Sequence, residues 1–298
     1  MRVRICPFVI ALLCSLGCSS GPRSGGHEGR GLLQFADRDL RQLSEHEQKN
    51  LARAFKGATG EELQPPSDID DPEPWWVKEF TGGGACWMFL EVNPERMVPG
   101  ISSVRAQFFD AQWHRVAKDE FPTGYRSFLK EANIVRDNPL GEELLQVTIE
   151  SAGPFVVVNG KEKGPAFAAG MYEREYYAYR GGHMLLVRLE TSKGELVTAS
   201  YRWAAPDKGP APQWANSADC LKSLQSQDQA EQLAVLVWLA GAHLNGNDPR
   251  YTNTSQEDVK ASALVESVCD DPAARAAVKR LRESTNIWIR EYASDIGN

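Results

Sequence analysis

The chain has 298 residues, with 33 lysines and arginines against 40 aspartates and glutamates and a formal net charge of −7. The length allows one large domain or two small ones. The acidic balance argues against nucleic acid, and against anionic lipid headgroups, as main partners, because both need clustered Lys and Arg. At the N-terminus, Arg2 and Arg4 precede an apolar run from Cys6 to Leu16, broken only by Pro7 and Ser15. The run is shorter than the roughly 20 apolar residues that a membrane-spanning helix needs. Small residues follow from Gly17 to Gly21. This order describes a removable export signal over residues 1–17.

The exit of that signal, Ser15-Leu16-Gly17-Cys18, resembles the lipobox of bacterial lipoproteins. In that family the cysteine receives a thioether-linked diacylglycerol and becomes the first residue of the mature chain. Gly17 fits the pattern. Ser15 and Leu16 depart from its usual order, which puts leucine three residues before the cysteine and a small residue two before it. The resemblance implies lipidation of Cys18, palmitate among the acyl chains, and anchoring in the cell envelope on a periplasmic or outer face. Two acyl chains anchor firmly where one binds only marginally. Cleavage there removes two arginines and no acid, taking the net charge to −9.

After Cys18 the chain is rich in Gly and Ser, with Pro22, and residues 18–36 are expected as the lipidated cysteine and a flexible tether. A helical segment is expected over 37–60. Ser44 with Glu47 three residues on is a capping box, Leu51, Ala52 and Phe55 recur at helical spacing, and Gly57 is a plausible stop. Residues 61–80 begin acidic and proline-rich and are expected as a solvated linker. Their aspartates lack the glycine and terminal glutamate of a calcium loop.

Residues 81–205 carry strand signals. Ala85 to Val92 is an almost wholly apolar run, and Leu145, Val147 and Ile149 alternate with polar residues. Phe155 to Val158 leads into Asn159-Gly160, a tight-turn signal. Glu173 to Tyr179, His183 to Glu190 and Glu195 to Trp203 read as consecutive strands, joined at Gly181-Gly182 and Lys193-Gly194. No long helical pattern interrupts the series, so an antiparallel β-sandwich or open barrel is expected. Residues 206–216, with Pro206 to Pro212, read as a connector, and 217–298 as an α-helical region. Its start signals are Ser226 with Gln229, Ser255, Asp271-Pro272 and Ser284, and Leu233 to Ala240 is expected as a buried helix. Ser284 to Ala293, with Asn286, Trp288, Ile289, Arg290 and Glu291, resembles the second helix of a HEAT-type repeat. That family stacks helix pairs and often binds proteins, but a solenoid needs three or more repeats and the sequence shows at most one. The fold class is therefore α+β, with a central antiparallel β domain between a short N-terminal helical segment and a C-terminal helical region.

Candidate chemistry is sparse. Gly83-Gly84-Ala85-Cys86-Trp87 resembles the cysteine–tryptophan segment of papain-like proteases, where the cysteine opens a helix. Here Gly83 replaces a cysteine of that pattern, and Met88 to Val92 reads as strand. The five histidines fall at no HxH or HxxxH spacing, and no GxSxG elbow, phosphate loop, dinucleotide fingerprint or CxxC pair is present. No catalytic residue, metal or cofactor is therefore expected. Tyr177 and Tyr179 share one strand face, with Tyr176 on the other, and an exposed row of this kind could stack on sugar rings. Core packing is the more ordinary explanation of such aromatics, which strands favour anyway. Besides Cys18 the mature chain has Cys86, Cys220 and Cys269. Export favours disulfides, so a Cys220–Cys269 bond is expected, with Cys86 free. The leading expectation for function is a non-catalytic, lipid-tethered envelope protein that binds or scaffolds a protein partner. A carbohydrate-binding module and a hydrolase without local motifs are the alternatives.

Overall fold

The structure is a computed structural model that describes residues 30–36, 38, 42–63, 75–92, 101–125, 127–151, 156–158, 161–163, 173–198, 214–245 and 256–296. The export signal, Cys18, residues 64–74 of the acidic linker, the Asn159-Gly160 turn, Pro206 to Pro212 and Ser255 lie outside the described residues.

Helices α1 (Arg30–Leu33) and α2 (Glu45–Thr59) come first. Strands β1 (Trp75–Gly82), β2 (Ala85–Val92), β3 (Ile101–Phe109) and β4 (Arg115–Tyr125) follow as an antiparallel meander, ordered β1-β2-β3-β4. Strands β5 (Ser127–Val135), β6 (Leu144–Ser151), β9 (Glu173–Arg180) and β10 (His183–Thr191) form a second antiparallel sheet, ordered β10-β9-β6-β5. Short strands β7 (Val156–Val158), β8 (Lys161–Lys163) and β11 (Val197–Thr198) make a third. The C-terminal helices are α3 (Ser217–Leu224), α4 (Gln229–Asn245), α5 (Gln256–Asp270), α6 (Pro272–Leu281) and α7 (Ile287–Asp295).

Period-two alternation of the strand side chains builds four layers from these elements. Met88, Leu90, Ala106 and Phe108 of the first sheet meet Leu145, Val147, Tyr177 and Tyr179 of the second in one core. Phe89 and Phe109 point the other way, onto Leu32, Phe35, Leu51 and Phe55 of the N-terminal segment. Leu144, Tyr176, Ala178, Leu185 and Val187 leave the second sheet on its outer face and join the core of α3 to α7. Within that region α4 lies on β10 and is packed by α3, α5 and α7, and Leu233 to Ala240 are all buried. Strands β2, β3, β9 and β10 are thus covered on both faces, which explains the near-continuous apolar runs in β2 and β10. Two carboxylates link the sheets. Asp119 on β4 accepts from the Met184 amide on β10 at 2.6 Å, and Glu143 accepts from the Thr81 amide on β1 at 2.6 Å.

The α+β class and the antiparallel β domain are as expected, and several boundaries move. Residues 30–36, expected at the end of the tether, carry α1, bury Leu32 and Phe35, and bridge Ala36 to Val77. The Ser44–Glu47 capping box is present, but α2 passes Gly57 and stops at Gly60, whose φ of 74° is the left-handed cap. β1 begins at Trp75, inside the expected linker, because Val77 and Phe80 have cores to fill on opposite faces. Glu61, at the head of that linker, is held by Arg115 at 2.6 Å. α4 starts two residues later than Ser226 would place it, with Asp228 accepting from the Ala230 amide. α7 starts after Asn286, not Ser284. Asp271 caps α6 with Pro272 in its first turn, as expected.

Candidate functional site

The polar groups buried in the two sheets concentrate on the β9–β10 hairpin, Glu173 to Thr191. Strand β9 lies between β6 and β10, so its alternate residues enter different layers. Glu173, Glu175, Tyr177 and Tyr179 take the parity that faces the other sheet. Arg174, Tyr176, Ala178 and Arg180 take the parity that faces the helices. On the inner side the Tyr177 hydroxyl donates to Glu175, and both residues are buried. On the outer side a register shift between Leu186 and Arg188 sets Arg188 opposite Tyr176.

Arg188 is the centre of the outer cluster. Its Nε donates to Glu190 at 2.7 Å and its Nη1 to Glu291 of α7 at 2.6 Å, while its guanidinium lies 4.9 Å from the Trp288 ring centroid. Tyr176 donates to the other Glu190 oxygen at 2.6 Å and packs its ring against Trp288. Tyr292 accepts from the Leu189 amide and donates to the Leu189 carbonyl, which pins α7 to β10. Burial opposes the charge on Arg188, but the hydrogen bonds to Glu291 and Glu190 outweigh it and raise its affinity for the proton. Burial, then the hydrogen bond to Glu190, pushes the Tyr176 hydroxyl far above its usual range. Both groups are driven deeper into the state they already hold at neutral pH. They serve as fixed struts between strand and helix, with no proton poised for transfer.

At the turn end of the hairpin, Arg180 forms a second clamp. It donates to Asp228 at the start of α4 at 2.5 and 3.0 Å, to Glu142 before β6 at 2.7 Å, and to the Tyr179 carbonyl at 2.8 Å. The hydrogen bond to Asp228, the largest influence, holds Arg180 charged against burial and in turn lowers the Asp228 carboxyl. One strand therefore ties the second sheet to α4 at one end and, through its neighbour β10, to α7 at the other.

The residues expected to form a site are placed differently. Tyr177 and Tyr179 are 3% and 8% exposed and lie inside the sandwich, with Tyr179 against Phe80 and Phe108, so neither ring offers a face to a sugar. Strand-forming aromatics here fill the core because β9 is covered on both faces. Cys220 and Cys269 are free cysteines, and the expected disulfide is absent. Each packs into the helical core as a small hydrophobe. Burial, and then Asp219, pushes the Cys220 thiol up to about 12. Cys86 lies on β2 after the Gly83-Gly84 turn, not at a helix start as the protease segment would have it. Cys18 lies outside the described residues. Among those residues no group of three or more His, Cys, Asp and Glu side chains could hold a metal ion, and no helix is long and apolar enough to cross a membrane.

The charged residues of the hairpin were not singled out from sequence. The signal was present: Arg188 and Glu190 interrupt an otherwise apolar strand, and a strand covered on both faces must bury whatever it carries. Glu291 and Asn286 carry no such mark, since their partners lie over a hundred residues away for Arg188–Glu291 and for Asn286–Pro139. No protein-family model, curated protein or solved structure matches the chain.

Proposed function

We propose that the chain is a lipid-anchored envelope protein whose folded body is a non-catalytic scaffold for a protein partner. The observation that carries the anchor is the order of the first twenty or so residues: two arginines, a short apolar run, and Gly17-Cys18. Eleven residues separate Cys18 from Arg30, a reach of at most about 40 Å when extended, which keeps the body close to the bilayer. The scaffold reading is supported by the use made of the buried charges. Arg188, Glu190, Arg180 and Asp228 are spent on joining layers.

Metabolic labelling with a palmitate analogue tests the anchor. The wild-type chain is expected to take up label and sediment with membranes, and Cys18→Ala to lose the label. Equal labelling of the two would overturn the proposal.

A further inference from the structure

Most cations of the described body that lie before α3 are matched. Arg38, Lys49, Lys56, Arg115, Lys118, Arg136, Arg180 and Arg188 each lie within ion-pair distance of a carboxylate. The C-terminal helices differ. Arg275, Lys279, Arg280, Arg282 and Arg290 fall within sixteen residues, and none forms an ion pair among the described residues. Arg275, Lys279 and Arg280 are exposed. Arg282 and Arg290 use guanidinium hydrogens on carbonyls of the α6–α7 turn and of α7: Arg282 to Ala293, Arg290 to Ser284 and Thr285. Those bonds fix the direction of each side chain and leave its charge uncompensated. Arg275 and Lys279 are four apart on α6, an arrangement that destabilises a helix unless something outside it neutralises the charge. Glu283 stands four residues after Lys279 without pairing with it.

A second observation falls on α7. Val116 and Ile287 are the exposed large hydrophobic residues of the described chain, and Ile287 is 48% exposed. It sits one turn before Arg290 on α7. Unpaired cations beside an exposed aliphatic residue are what an anionic lipid surface takes: headgroups neutralise the charges, and the apolar side chain enters the boundary.

We infer that the α6–α7 face docks on anionic phospholipid, orienting the body on the membrane that Cys18 anchors it to. This rests on the anchoring proposed above. The chain's overall acidity conceals it: of the acids on α6, α7 and their connections, Asp271 caps α6 and Glu291 pairs with Arg188, which leaves Glu283 and Asp295 against the five cations.

The test uses the intact mature chain mixed with vesicles of phosphatidylcholine alone or of phosphatidylcholine with phosphatidylglycerol. Flotation is read first, then the rate at which an amine-acylating reagent modifies Lys279. The expected result is flotation with both vesicles and Lys279 slowed at least about fivefold on the anionic ones, with the protection lost at high salt. Arg275→Gln and Arg280→Gln leave the probe in place, are exposed, and should each return about fivefold in rate. Flotation with anionic vesicles only supports docking and removes the anchor. Flotation with both vesicles at equal Lys279 rates removes docking and leaves the anchor. Flotation with neither removes both. Protection by soluble polyglutamate that exceeds protection by anionic vesicles overturns the inference in favour of an acidic protein partner.

Discussion

At the scale of single residues, two positions show how local chemistry and distant packing share control. Gly83, in the β1–β2 turn, has φ of 54°, where a side chain is strained, and a Cβ there would stand 2.3 Å from the Tyr179 ring. That ring is wedged between Phe80 and Phe108 and has little room to retreat. Gly83→Ala is expected to cost roughly 2–3 kcal/mol, from backbone strain and overpacking together. Urea unfolding measures it, and a loss below about 0.5 kcal/mol would mean that the ring moves freely. Glu47 is the opposite case, a residue whose role is wholly local. Its carboxylate accepts from the Ser44 hydroxyl and amide and pairs with Arg38, and these hold it down to about 2. A carboxyl lowered on folding contributes stability that is present above its ordinary value of 4.5 and lost as pH falls towards about 2. Glu47→Gln keeps an acceptor at the cap and removes the titration. Its acid unfolding curve should therefore be flatter than that of the wild type between those two values. Superimposable curves would deny the cap any part in acid stability.

At the scale of elements, the difference between legible and hidden features follows from the range of the interactions. The capping box of α2 and the Asp271-Pro272 start of α6 are decided within four residues, so the sequence displays them. The starts of α4 and α7 are not. Ser226 and Asp228 are both good caps, and Arg180, arriving from β9, favours Asp228. Ser284 and Asn286 are likewise both good caps. Asn286 prevails because its amide also donates to the Pro139 carbonyl and to Gln229. The charged face of β9–β10 is hidden for the same reason. Its partner Glu291 lies 103 residues after Arg188. That cluster makes a quantitative demand. Arg188→Met leaves Glu190 buried without its cation and should cost about 3–5 kcal/mol, whereas adding Glu190→Gln should recover a substantial part. A double-mutant cycle in urea reads the coupling. Additive losses would show that Arg188 acts by packing on Trp288 alone.

At the scale of the whole molecule, the order of layers was legible in outline and the cysteine chemistry was not. Alternation and the long apolar runs marked strands between two helical regions. Whether Tyr177 and Tyr179 faced solvent depended on a second sheet covering them, which no local pattern states. The same holds for Cys220. Export suggested a bond to Cys269, but its environment is the apolar interior of the helical layer, where it remains a thiol pushed up to about 12 by burial and then by Asp219. A thiol raised on folding contributes stability that is fully present below its ordinary value of 9.0 and is lost as pH rises towards about 12. The helical layer should accordingly weaken in alkali, and Cys220→Ala, though less stable at neutral pH for loss of packing, should weaken less steeply over that interval. Thiol counting separates this account from the disulfide. The unfolded, unreduced mature chain should titrate three thiols, Cys86, Cys220 and Cys269, since the proposed thioether to diacylglycerol would take Cys18 out of the count. In the native chain at neutral pH a maleimide should reach the half-buried Cys86 and Cys269 well before Cys220, which is 0% exposed. A count of one thiol in the unfolded chain would restore the Cys220–Cys269 bond and remove the alkaline prediction with it.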